Sequence, residues 1–261
     1  MAILLGGLGV IVTGFLLVSG KWRAFRDAIV NRATSSGHPE WRLESMSRST
    51  RRLLLCGAIA GPAFVLVVLL QDYTRPGVDP RTQPLSLLSL GDWGWVQTLN
   101  FMGAGVLNLL YAVGLRRRLR GGHSGMAAPV LIALYGIGLV SVSLFQTDPR
   151  NGFPPGVVET SDWSWHAVLH GVGATIVFLA LAGALLAFSR AFLERKEGEW
   201  ALYAIASAAL VLALFLSPAG SAGDARVLRL AVLIGWMAAS IIALRLSVPD
   251  EPPGAAAEPP I

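Results

Sequence analysis

The sequence predicts an all-α fold, a polytopic membrane bundle of seven transmembrane helices with its N-terminus outside and its C-terminus in the cytoplasm. Three observations predict it. Of 261 residues, 54% are hydrophobic and only 14% are charged, where soluble domains carry about a quarter charged residues. The apolar residues come in blocks of about 18 or more, the length that crosses a hydrocarbon core about 30 Å thick. Positive charge is sorted by loop rather than spread along the chain. A membrane β-barrel is excluded because its strands would alternate instead of running apolar throughout.

The first span covers residues 2–20. It has no basic residue before it and runs directly into "KWRAFR". A cleavable signal has the reverse charge order, so a retained helix is expected. Residues 21–52 form a basic loop whose Trp22, Phe25 and Ile29 could lie against headgroups. The core, 53–247, holds six spans, at 53–71, 95–115, 126–147, 165–188, 200–217 and 227–247. In the first of these, Gly57 and Gly61 stand at the small-xxx-small spacing that lets helix backbones approach, and Pro62 predicts a kink. Gly103, Gly105, Gly136, Gly138, Gly171 and Gly173 read the same way. The tail, 248–261, is rich in Pro and Ala and reads as disordered.

Orientation follows from three alternate loops. Lys21, Arg23, Arg26, Arg32, Arg42, Arg48, Arg51 and Arg52 fall in one; Arg116, Arg117, Arg118 and Arg120 in the next; Arg190, Arg195 and Lys196 in the third. Together they hold fifteen of the 21 basic residues. The positive-inside rule places them in the cytoplasm. The net charge of +5 is therefore a topology signal and not the footprint of nucleic acid. The expected partner is the lipid bilayer. The single cysteine, Cys56, excludes an internal disulfide and a cysteine-based metal centre.

The outward loops differ in kind. They carry Asp72, Asp79, Asp92, Asp148, Glu159 and Asp162, and the pairs "DWGW" and "DWSW", each just before a span. Trp93, Trp95, Trp163 and Trp165 read as interfacial anchors. "SDWSWHAVLHG" then places His166 and His170 four apart, on one helical face just under the outer boundary. A polar side chain at that depth should face the bundle. Three readings stay open: structural hydrogen bonding, acid–base work, and a divalent metal such as zinc held by His166, His170 and an outer aspartate. Asp148, Asp72 and Asp162 are the candidates for that third ligand. The glutamate of H-E-x-x-H is missing, its place falling among Ala167, Val168 and Leu169. Haem is disfavoured because His38 and His123 fall in loops on the opposite side. Gln97 and Asn100, three apart, and Arg229 near its end of the last span belong to the same depth. Arg229 needs an anion, Asp148 or a lipid headgroup. The candidate site is thus one polar layer: Gln97, Asn100, Asp148, His166, His170 and Arg229.

"PLSLLSLGDWGWVQTLNF" (84–101), "LFQTDP" (144–149) and "SWHAVLHG" (164–171), in this order, resemble the signature stretches of the domain of unknown function 998 family, bacterial and archaeal integral membrane proteins with about six core helices. The resemblance covers roughly 53–247. Gln146 departs from the family, which often has proline there. The family brings no activity. The resemblance implies only that the TDP and WHxxxH segments share one framework. The functional expectation is an integral membrane protein for binding, transport or assembly. The alternative is a metal-dependent membrane-embedded hydrolase using the HxxxH pair and an outer aspartate.

Overall fold

A computed structural model describes residues 42–43, 46–120, 124–159, 161–221 and 224–248. The expected span 2–20, most of the basic loop, His38, His123 and the tail beyond residue 248 lie outside the described residues. Six long helices dominate the described residues: α1 (Arg48–Thr74), α2 (Gly94–Arg118), α3 (Ser124–Leu144), α4 (Trp165–Glu194), α5 (Gly198–Phe215) and α6 (Ala225–Leu246), with a single helical turn, Pro218–Ser221, before the last. All six are long and apolar enough to cross a membrane, and they coincide with the six expected core spans to within a few residues. The chain therefore reads as a multi-pass membrane protein.

Local signals set the ends. The Ser47 side chain accepts from the Thr50 N–H, Ser164 from the Ala167 N–H and Asp224 from the Arg226 N–H, each satisfying an orphan donor of a first turn. Arg116, Arg117 and Arg118 end α2, where the helix dipole favours cations. The expected third core span reaches 147, but α3 stops at Leu144, before the "FQTDP" turn. Outside the helices, Arg42–Leu43 pairs antiparallel with Leu119–Arg120.

The helices close into a ring. Each packs on its chain neighbour and α6 returns to α1, while α4 and α6 barely touch. The middle of such a ring must be filled, and aromatic side chains fill it. Phe64 of α1 lies 3.8 Å from Trp236 of α6 and 5.3 Å from Phe101 of α2, centroid to centroid, and Tyr135 of α3 meets Trp236 edge-on at 5.6 Å. Outside, Leu66, Leu99, Val168 and Leu244 are more than half exposed. A large apolar outer surface suits lipid and would be a liability in water.

Close approach depends on missing side chains. A Cβ on Gly105 would sit 2.9 Å from the Gly136 carbonyl oxygen, so α2 and α3 touch backbone to backbone. A Cβ on Gly61 would sit 2.7 Å from the Trp236 carbonyl oxygen and would also collide with Ser240 Oγ. Gly103 and Gly171 face open space instead, which corrects their reading as packing residues. Pro62 lies within α1 without ending it. Just before it, Ser240 Oγ accepts from the Gly61 N–H at 3.2 Å and donates to the Gly57 carbonyl at 3.0 Å. A hydroxyl from α6 thus bridges an i, i+4 pair of α1 next to a proline, as membrane helices often require.

The chain between α1 and α2 folds inward. Its 3-10 helix, Leu85–Ser89, buries Leu85, Leu87, Leu88 and Ser89. The stretch falls between the expected spans 53–71 and 95–115. Its apolar "LSLL" run packs over the ring at the end that carries the four tryptophans, the tryptophan end hereafter. The opposite end, with Arg116 and Arg117, is the arginine end.

Ser240→Ala should cost about 1 kcal/mol, the range of interhelical hydrogen bonds in membranes. Gly61→Leu should cost several times more, because its contacts are backbone. Reversible unfolding in detergent measures both, and equal losses would count against the close contact.

Candidate functional site

The tryptophan end is organised by the last turn of α1. Gln71 and Arg75 emerge there on one face, joined by a hydrogen bond, and Asp72 on another. Gln71 Nε2 donates to Gln97 Oε1 at 2.8 Å, and Asn100 Nδ2 donates to the same oxygen at 3.3 Å and to the Phe64 carbonyl at 3.2 Å. Gln97 is fully buried. The expected depth match of Gln97 and Asn100 is thus a hydrogen-bonded chain, made stable because a buried amide oxygen is costly to leave unpaired. Arg75 Nη1 donates to Gln71 Oε1 at 3.3 Å and to the Leu88 carbonyl, and its Nη2 donates to the Leu90 carbonyl at 2.6 Å. Arg75 therefore holds the inward 3-10 helix.

Arg229 of α6 does not meet Asp148. Its Nη1 donates to both oxygens of Asp72, at 2.9 and 2.7 Å, and its Nε and Nη2 donate to the Gln83 carbonyl at 3.2 and 2.9 Å. The two ionic side chains are only 13% and 10% exposed. This corrects the expected partner, and the reason is register: α6 packs on α1, and Asp72 lies at its depth. Gln83 extends the link. Its Nε2 donates to the Gly77 and Asn151 carbonyls, and its Oε1 accepts from the Asp79 N–H.

Asp148 serves the start of α4. It accepts from the Ser164 N–H at 2.8 Å and the Ser164 hydroxyl at 2.6 Å, and Ser164 in turn caps α4. Those two bonds hold its carboxyl below the usual carboxylate range. The histidines separate. His166 is exposed, its ring stacked 3.6 Å from that of Trp165. His170 is buried, with Nδ1 2.8 Å from the Phe145 carbonyl. A carbonyl only accepts, so Nδ1 carries the hydrogen and in the neutral ring Nε2 is an acceptor. The expectation that both rings face the bundle is corrected for His166. The buried stripe of α4 begins at Ala167 and runs through His170, Gly173 and Val177. His166 lies on its angular edge, in the first turn, above the rim of the packed bundle. Among the described residues, no three of His, Cys, Asp and Glu gather closely enough to hold a metal ion.

His170 lines a small cavity of about 60 Å³, together with Ser86, Phe101, Val142 and Trp236. It occupies the gap between α4 and α6 beneath the 3-10 helix. The Trp236 indole N–H has no hydrogen-bond partner, nor has Gln97 Nε2. A larger hollow, about 330 Å³, lies between α1 and α2 and is lined mainly by apolar residues such as Ala63, Trp95 and Leu99.

Sequence reasoning missed Gln71, Arg75, Gln83 and Trp236 here. The i, i+4 pair Gln71 and Arg75 was a usable signal, since two polar residues on one face of an apolar helix end point to a common partner. Gln83 gave none.

Arg229→Ala should cost about 3–5 kcal/mol, because it leaves Asp72 as a buried, unpaired charge. Arg229→Ala with Asp72→Ala should cost less than the single change, and unfolding in detergent measures the coupling. For Asp148 the sign runs one way. Its folded pKa is depressed, so the Ser164 tether is present above the ordinary carboxylate range and is lost as pH falls through the lower folded value. Proteolysis of the 145–164 segment should accelerate on acidification below about pH 4. Asp148→Asn should flatten that dependence, and an unchanged profile would refute the tether.

No curated protein and no solved structure matches the chain. One family model does, over residues 58–245, and it describes a protein of unknown function, DUF998. That match takes in α2 to α5 whole, all but the last residue of α6, most of α1, and the polar residues of the tryptophan end described above, so the chain belongs to the DUF998 family.

Proposed function

We propose that the chain is a binding component of a prokaryotic cell membrane, with its tryptophan end outward and its ligand site in the His170 cavity, framed by Gln97, Asn100, Asp148 and Arg229. The observation that carries the reading is the environment of His170. Its Nδ1 donates to the Phe145 carbonyl at 2.8 Å, which leaves Nε2 as the acceptor of the neutral ring, in a side chain that lines a mostly apolar cavity. Gln97, Asn100 and Arg229 hold the walls through bonds to α1, and Asp148 holds the start of α4. The ligand is a small or chain-like apolar molecule with one hydrogen-bonding group, taken up between α4 and α6. Pockets of this kind use a few polar groups for orientation and apolar walls for affinity.

The outward placement is supported by charge. Arg116 and Arg117 stand exposed at one end, while Arg81 and Arg226 at the other are paired with Asp79 and Asp224. In a Cys56→Ser background, Asn151→Cys should react with a membrane-impermeant maleimide in whole cells and Arg117→Cys should not. The reverse pattern would overturn the orientation.

Native mass spectrometry of protein extracted with its surrounding bilayer tests the site. A bound small molecule should be carried by the wild type, lost in His170→Phe and kept in His166→Ala. Loss in both variants, together with a zinc-dependent rise in melting temperature that also needs Asp148, would favour the metal-dependent hydrolase instead. No bound molecule in any variant would sink the binding reading.

A further inference from the structure

The arginine end carries a second and separate feature. α1 begins and α2 ends side by side there. A Cβ on Gly114 would lie 2.8 Å from Leu53 Cβ and 3.0 Å from the Leu54 nitrogen. Arg51 and Arg52 immediately precede Leu53, and Arg116 and Arg117 follow Gly114 by two and three residues. All four are exposed, as is Arg48 one turn earlier. The pairing of Arg42 with Arg120 in the short ladder brings two more basic positions to the same end. Among the described residues, 46–57 and 108–120 contain no Asp or Glu.

The contrast with the opposite end gives this cluster its meaning. There the chain answers its own cations. Arg81 and Arg226 have Asp79 and Asp224, Arg229 has Asp72, Arg75 has two carbonyls, and Arg150 lies 3.6 Å over the Trp163 ring. Elsewhere at the arginine end the same habit holds, since Arg245 and Arg195 share Glu197 and Arg190 has Glu194. Arg48, Arg51, Arg52, Arg116 and Arg117 have no such partner among the described residues. Like charges on two touching helix ends repel, and that repulsion is relieved when an anion sits between them. The helix ends lie where a bilayer places its headgroups, and Arg offers a planar fork of donors that matches phosphate oxygens.

We propose that the adjoining ends of α1 and α2 form a binding site for the phosphate of an anionic membrane lipid. The site is independent of the His170 cavity and would stand if that reading failed.

The full chain is reconstituted in nanodiscs of phosphatidylcholine and phosphatidylglycerol, and the lipid retained on the protein is weighed by native mass spectrometry. Phosphatidylglycerol should be enriched over its share of the nanodisc. Arg51→Gln and Arg116→Gln should each cut that enrichment by roughly fivefold, the effect of one basic residue near an anionic surface. Arg81→Gln and Arg226→Gln should leave it unchanged. If the α1 and α2 variants misfold, wild-type enrichment across a salt series decides: a steep fall supports the site and a flat response overturns it. Equal loss in all four variants would show a general charge effect and overturn it. A melting temperature raised by inorganic phosphate, with no phosphatidylglycerol enrichment, would overturn the lipid as the occupant in favour of a free anion.

Discussion

A ring of helices is only as well defined as the contact between its first and last members, and here that contact is polar at two depths. Near the middle, Ser240 of α6 bridges the Gly61 N–H and the Gly57 carbonyl of α1. At the tryptophan end, Arg229 of α6 forks onto Asp72 of α1. Within a bilayer, apolar side chains gain little by facing each other rather than lipid, so hydrogen bonds and close packing must select the pairing. The two links fix different things. Ser240 sets how near the helices come, because it requires glycine opposite. Arg229 sets register, because its buried guanidinium must lie level with Asp72 to pair with it.

The second link also builds the roof. The same guanidinium that holds Asp72 donates to the Gln83 carbonyl. Gln83 reaches on to Asn151 in the α3–α4 connection. Arg75 ties the following residues, through the Leu88 and Leu90 carbonyls, back to α1. The cover over the His170 cavity is therefore pinned at both sides by arginines whose other bonds lie in the helix ring. Ring closure and site closure are one network, so a change that loosens α6 from α1 also loosens the cover.

Much of this was legible in the sequence, and the gaps have physical causes. Span positions were readable because membrane helices are set by length and hydropathy, both local properties. The depth of Gln97, Asn100, His170 and Arg229 was readable because depth is only distance along a helix. Partners were not. Arg229 faced several outward carboxylates of equal standing, and choosing Asp72 needed the register of α6 on α1. His166 and His170 share a face by arithmetic, yet the rim of the bundle falls between them. The inward turn of Leu85–Ser89 was written in "LSLL", but so short an apolar run has no period that separates a buried plug from a surface loop.

The two ends of the molecule solve the same electrostatic problem differently. At the tryptophan end the described arginines are answered within the chain, and the bonds that answer them, from Arg75, Arg150 and Arg229, are the ones that shape the roof. At the arginine end, five exposed arginines on α1 and α2 have no acidic partner among the described residues, although glutamates serve the cations of α4 and α6 a short distance away. A charge satisfied internally makes structure; a charge left outward makes an attachment point. Both uses follow from a single constraint, that a guanidinium at a membrane boundary cannot be neutralised by losing its proton and must find an anion or an acceptor.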